Sequence, residues 1–394
     1  DLDLGCAPDE RIEVRHLEGE VLLSEVRGGL KGRSGSGPVI YADGGGKGPA
    51  FPRPVHGKDR VARVLMGTAD AGRERLGVIG MVQINDTTTW QGVTQHELGQ
   101  AARNHGMQLE GLRYDVTPIG MHYLVIHWDI PAADETAWTV DVDGLVDRPL
   151  TLSMDDIRAR PAVTRPVTME CAGNGRALMP PRAESQPWLL EAVGNAEWTG
   201  TPLPPILEDA GLRPEAVELV FTGADHGIQG DVEQDYQWGF SVADIVRDDV
   251  LLAYEVNGQP LPPQHGYPVR LLVPDWYGMC SVKWLRRITA VAQPFDGFQL
   301  SAYQRRQEQD GPGERVTRKA VRALLMPPGF SDFPARQRFV DAGRCELIGR
   351  AWSGWGHIDR VEVSVDGGET WADAELGPKP ESPSSWRSWS FDWD

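Results

Sequence analysis

Val167–Arg176 reads VTMECAGNGR. A β-branched apolar run leads into a cysteine, a tight Ala-Gly-Asn-Gly turn follows, and an arginine closes the segment. The pattern predicts a strand that ends at Cys171, with turn N–H groups and the Arg176 cation beside the sulfur. Such surroundings favour the thiolate and lower the pKa of a thiol. Cysteine is also one of the most often buried residues, so inert packing, a nucleophile and a metal ligand all stand as readings. A Cys-His hydrolase would take its base from His122, His127 or His265, and spacing does not choose among them.

Outward from this turn, His122–Trp128, Trp138–Val142, Pro166–Glu170, Val217–Thr222, Val250–Val256 and Val269–Val273 read as short strands. Helices are expected near Asp155–Arg160 and Pro205–Ala210, and over Thr94–His105, where Thr94 and Glu97 form a capping box. Together they predict an irregular α+β domain over residues 93–312. After a Pro/Gly break, residues 313–394 read as antiparallel strands: Ile358–Val365 alternates, Asp366-Gly367-Gly368 turns, and Thr370–Leu376 returns. This is the pattern of a β-sandwich, and it is shorter than the roughly 100 residues such a domain takes. Residues 1–92 are Gly-rich and lack tryptophan until Trp90, whereas six tryptophans fall between Trp352 and Trp393. In this N-terminal piece Glu20–Val26 could be strand or helix, Lys58–Gly67 is spaced as a short helix, and Gly44–Lys47 (GGGK) reads as a loop, since no Ser or Thr follows the lysine.

The chain has 394 residues, 40% hydrophobic and 24% charged, with a formal net charge of −18. That length accommodates two to four domains with substantial cores. No apolar run reaches the roughly 18 residues of a membrane span. The acidic balance excludes a general nucleic-acid binder, but a few local arginines could still hold an anionic substrate. Cys6, Cys171, Cys280 and Cys345 stand far apart with no CxxC pair, which leaves a zinc ribbon, a dithiol, a c-type haem and a disulfide framework unsupported. The chain begins at Asp1 with no basic-then-apolar leader. It therefore reads as a processed product, an engineered piece or a fragment, with a cytoplasmic location favoured over a periplasmic one.

VTMECAGNGR closely resembles the cysteine motif of the sulfite oxidase family, whose cysteine binds molybdenum in a pterin cofactor. Gln264–Leu285 (QHGYPVRLLVPDWYGMCSVKWL) resembles that family's second pterin-binding stretch. Leu347–Leu376 (LIGRAWSGWGHIDRVEVSVDGGETWADAEL) resembles its C-terminal Ig-like dimerisation domain. The resemblance covers roughly residues 94–394, three motifs in the family's order. It implies a sulfite-oxidase-type molybdopterin-binding domain followed by an Ig-like sandwich, and a homodimer. Val39–Gly67 separately resembles part of the SnoaL-like domain appended to extracytoplasmic-function sigma factors, which implies a fused remnant.

By resemblance, Cys171 is the molybdenum ligand, and a soft thiolate suits a redox metal. Arg176, Trp188 (in SQPW), Tyr303 (in AYQ) and Arg387 match residues that line the substrate pocket, the last contributed by the C-terminal domain. Tyr123, His127, Asp225, His265, Arg270, Ser281, Val282 and Lys283 match positions that hold the pterin and its phosphate, a role suited to Arg, Lys and backbone N–H groups. Where sulfite oxidases carry an Arg-Asn-His run, this chain has Val125-Ile126-His127, so one anion-binding arginine is replaced by Val125. Arg103-Asn104-His105 is a look-alike triplet that reads as too far upstream to fill that place.

The implied activity is a molybdenum-molybdopterin oxidoreductase that transfers an oxo group to sulfite or a related sulfur compound. Electrons would pass to an external acceptor such as a cytochrome, which the acidic surface would steer. Two alternatives stay open: reduction of a sulfoxide, nitrate or similar oxo substrate, and a non-catalytic dimeric relic.

Overall fold

The computed structural model describes residues 93–178, 185–229, 231–305, 313–334 and 337–394, together with short strands at 11–14, 41–42, 61–65 and 89–90. Two five-stranded sheets build the central domain. One runs in the order Val232–Ser241, Glu218–Gln229, Leu285–Val291, Thr139–Gly144, Leu150–Ser153. The Leu285–Val291 and Thr139–Gly144 strands pair in parallel and the other neighbours are antiparallel. The second sheet runs Gln259–Pro260, Leu251–Val256, Val193–Pro202, Val163–Glu170, with Arg270–Leu272 added beside Leu251–Ala253. Leu251–Tyr254 are all buried, as expected of a strand covered on both faces. The main core joins Trp138, Phe221, Trp238, Phe240, Trp284 and Ile288. The Trp138 indole donates to Leu285 O at 3.0 Å, satisfying its one polar atom inside that core.

Most predicted elements are present, including the helices Gln95–Ala101, Met154–Arg158 and Pro204–Ala210. His122–Trp128 is a correction. It is no strand but an irregular segment joined to the chain by one bridge, His105 to Leu124. Its backbone groups go elsewhere: His122 N to Pro118 O at 3.1 Å, and Ile126 N to Asn104 Oδ1 at 2.6 Å. Lys58–Gly67 is a second correction, because Val61–Leu65 is a strand rather than a helix and pairs in parallel with Arg360–Ser364. Partnering in a sheet overrides a weak helical spacing. Glu20–Val26, Gly44–Lys47 and nearly all of the stretch carrying the SnoaL-like resemblance lie outside the described residues.

The C-terminal domain is rich in sheet. Arg322–Leu325, Cys345–Trp352, Arg387–Trp393 and Glu375–Leu376 form one sheet, and Ala372–Asp373, Arg360–Ser364 and Val61–Leu65 another. The expected Thr370–Leu376 strand is broken into two pieces at Ala374. The shortness of the tail is offset from an unexpected source, since two strands of the first 92 residues pair with it: Val61–Leu65, and Arg11–Val14 against Arg338–Asp341.

Val163–Glu170 is the last strand of its sheet, and the C-terminal domain covers its free edge. Thr168 N donates to Ser384 O at 2.9 Å, Thr168 O accepts from Lys319 Nζ at 2.7 Å, and Thr168 Oγ1 accepts from Trp386 N at 2.7 Å. A sheet edge that would otherwise expose unpaired groups is thereby closed. That strand delivers Cys171.

Candidate active site

Cys171 N donates to Ala192 O at 2.9 Å, and the chain then turns back on itself: Asn174 N to Cys171 O at 3.0 Å, Arg176 N to Gly173 O at 3.0 Å. Gly173 N points at the sulfur, 3.4 Å away. The Arg176 guanidinium is buried over the turn, so close that a Cβ on Gly173 would sit 2.5 Å from Nη2, and its Nε has no hydrogen-bond partner. The buried Trp188 indole favours the thiolate as well. Tyr303 belongs to the same group: its ring packs with Ala172, Tyr277 and Met279, and it feels both Cys171 and Arg176 electrostatically. Burial pushes its phenol up to about 12, so it is a proton donor at neutral pH. The thiol departs from expectation. Burial dominates and raises its pKa, with Arg176 and the Gly173 N–H only partly opposing.

Below the turn lies a buried cluster of basic groups. Arg270 is 3% exposed and donates to His265 O and Ser281 O, both at 2.9 Å, with its face 5.0 Å from the Trp198 ring. Its Nε has no partner, and burial pulls its pKa down to about 10. Lys283 Nζ donates to Val125 O at 2.8 Å and Gln264 O at 3.0 Å, above the Trp284 ring. Burial lowers its pKa, and burial raises that of the nearby Asp225 carboxyl, each partner opposing the other's shift. His265 and His122 face each other edge to face at 5.7 Å. Burial depresses His265 to about 2 and His122 to about 4, and His122 Nε2 has no partner.

Tyr123 stacks on His122 at 5.2 Å, and its hydroxyl occupies the space a Cβ on Gly278 would need. His127 Nε2 meets Gln229 Oε1 at 2.7 Å, and burial lowers its pKa. Ser281 holds the cluster's backbone in place by accepting from Val273 N at 3.0 Å. The Val282 side chain instead packs into the main core, so any contact it makes with a cofactor must come from its backbone.

Arg387 is not brought into this assembly. Its guanidinium donates to Gly377 O at 2.8 Å and Ile358 O at 2.9 Å, bracing the C-terminal sheets. The C-terminal arginine that does reach the Cys171 turn is Arg322, which donates to Asn174 O at 3.3 Å. Nothing in the sequence marks it, because it lies 148 residues from the turn. The Arg103-Asn104-His105 triplet stands well upstream in sequence, yet the fold lays it beside Leu124–Ile126 through the His105 bridge and the Asn104 side chain. Arg103 is exposed there and helps to lower the His127 pKa.

Residues 127–299 match the family model described as the oxidoreductase molybdopterin binding domain, and residues 333–393 match the Mo-co oxidoreductase dimerisation domain. The chain belongs to the molybdopterin oxidoreductases of the sulfite oxidase and nitrate reductase family. The mitochondrial sulfite oxidase of Rattus norvegicus is 34% identical over 297 residues, 70% of this chain and 52% of that protein. Nitrate reductase [NADH] 1 of Oryza sativa subsp. japonica is 32% identical over 308 residues, 70% of this chain and 33% of that protein. The chain thus spans from a third to about half of the curated relatives it matches. The crystal structure of the sulfane dehydrogenase SoxCD from Paracoccus pantotrophus superimposes with a TM-score of 0.63 at 28% identity, covering 73% of this chain and 72% of that one.

Family membership implies a molybdenum-molybdopterin cofactor, and the residues fit one. Among the described residues no group of three or more His, Cys, Asp or Glu could hold a metal ion, so a metal at Cys171 must bring ligands of its own, as a pterin dithiolene does. Among the described residues, the buried Arg270 and the half-buried Lys283 supply the positive charge here, Asp225 opposes it beside Lys283, and the neutral His122 and His265 complete the cluster; Arg270 Nε and His122 Nε2 are unpaired. Buried cationic groups so arranged are completed by an anion.

Proposed function

We propose that this protein oxidises a sulfur compound at a molybdenum-molybdopterin centre anchored by Cys171 and passes the electrons to an external acceptor. The observation that carries the reading is the convergence of Arg176, Tyr303 and Trp188 on the Cys171 sulfur, directly beside the buried cationic cluster. Bound there, the cofactor supplies two-electron oxo-transfer chemistry, with water as the oxygen source. Arg270, Lys283 and His265 hold its anionic end, and Asp225 and Tyr123 orient its ring system. The Arg176 guanidinium, with its unpaired Nε, binds a substrate oxygen. Tyr303 keeps its proton and donates a hydrogen bond to the same substrate. The buried aromatic wall of Trp188 and Tyr277 excludes water from the sulfur's surroundings.

The choice of a sulfur compound rests on the likeness to a sulfane dehydrogenase. Val125 supplies only a backbone carbonyl to Lys283 where the family resemblance calls for an arginine. That leaves the pocket less cationic and favours an uncharged or monoanionic substrate over the sulfite dianion. Steady-state assays with sulfite, thiosulfate and an organic sulfide against an artificial one-electron acceptor, and with nitrate against a reduced artificial one-electron donor, test this. Turnover of a reduced sulfur compound is expected, and nitrate reduction as the only activity would overturn it. We propose in addition that the C-terminal domain pairs two copies of the chain.

A further inference from the structure

Glu170, the residue before Cys171, is 1% exposed, and both carboxylate oxygens are engaged. Oε1 accepts from Asn174 Nδ2 at 3.1 Å and from the Arg322 guanidinium at 2.8 Å, and Oε2 accepts from Trp352 Nε1 at 2.8 Å. Arg322 and Trp352 are direct partners across two antiparallel strands of the C-terminal sheet. They reach into the central domain as a two-pronged clamp. Arg322 Nη1 and Nη2 also donate to Asn174 O, each at 3.3 Å. Asn174 in turn uses its own side-chain oxygen to accept from Ala192 N at 3.1 Å, next to the Ala192 carbonyl that receives Cys171 N. The clamp therefore fixes the residue before the cysteine and the residue three after it.

A buried carboxylate is tolerable only when its lone pairs are filled, and a filled network of this kind is stiff. We propose that Arg322 and Trp352 are positioning residues for Cys171, so that the C-terminal domain shapes the metal-thiolate geometry as well as any contact between copies. The inference rests on the reading of Cys171 as the metal ligand. Outer partners that orient a ligand contribute about 10–100-fold to metal affinity or activity. A contact that only welded two domains together would leave the direction of the sulfur unaffected.

The test uses holoenzyme and its cofactor-free form carrying Arg322→Met, Arg322→Lys, Trp352→Phe or Cys171→Ser. Two readouts other than turnover are followed. One is the thiolate-to-metal charge-transfer absorption of oxidised holoenzyme, and the other is the rate at which iodoacetamide alkylates Cys171 in cofactor-free protein, resolved by peptide mass spectrometry. In Arg322→Met the band should shift, alkylation should quicken several-fold, and kcat should fall about 10–100-fold with KM nearly constant. Lysine should restore part of each. Trp352→Phe keeps the ring and removes only the N–H donor, so it should show the same changes to a smaller degree, and it decides the matter should Arg322→Met not fold. An unchanged band and alkylation rate in both variants would overturn the inference. Cys171→Ser separates the two levels: loss of the band there, with both other variants unchanged, sinks only the positioning role. A retained band in Cys171→Ser sinks the ligand assignment and the positioning role with it.

Discussion

Arg176 was visible to the sequence because it stands five residues from Cys171 on one tight turn, and the fold buries its guanidinium over that turn with Nε free. A charge-assisted hydrogen bond contributes about 1.5–3 kcal/mol. Arg176→Gln should therefore raise KM for an anionic substrate roughly 10- to 150-fold while molybdenum content stays at the parent level, as steady-state kinetics and metal analysis would show. His265 and Arg270 were legible for the same reason, since both lie inside the contiguous Gln264–Leu285 motif. Glu170's partners were not, because Arg322 and Trp352 approach from another domain and neither has a local signature. The buried histidines also carry a pH dependence. His122 and His265 are held neutral, at about 4 and about 2 against an ordinary value near 6.5. Below pH 6.5 the unfolded chain takes up protons that the folded one refuses, so stability falls as pH drops from about 6.5 towards 4. Denaturant melts of cofactor-free protein at pH 7, 5.5 and 4.5 should show this loss, and His122→Gln should reduce it.

At the level of elements, the strand that delivers Cys171 is set by packing from both sides. Its apolar residues join the Tyr123, Trp188 and Trp198 cluster, while Lys319, Ser384 and Trp386 close its edge. Its boundaries were readable because Val, Thr and Met alternate up to a Gly-rich turn. The His122–Trp128 segment misled for a specific reason: Tyr123 and Ile126 are buried and Leu124, Val125 and Trp128 half-buried, but its amides bond to a side chain and to loop and turn carbonyls instead of a neighbouring strand. Gly278 tests how tightly the elements meet here. A Cβ at that position would lie 2.1 Å from the Tyr123 hydroxyl and 3.3 Å from Glu170 O. Gly278→Ala should lower stability by about 1–3 kcal/mol, the range for overpacking, read as a reduced melting temperature.

For the whole molecule, composition indicated an acidic chain of several domains, and the arrangement of its parts came from the fold. The N-terminal segment was expected to stand apart, yet it contributes strands to the C-terminal region, a long-range pairing that no local pattern announces. The charge of −18 surrounds a site whose own buried side chains are predominantly basic. Pairing of two copies through the C-terminal domain should give the mass of a dimer by light scattering at micromolar concentration, and a monomer there would count against it. Elemental analysis of protein purified from a host that makes the molybdenum cofactor tests the central claim most directly. Molybdenum in stoichiometric amount is the predicted result, and protein from such a host without molybdenum would contradict the account.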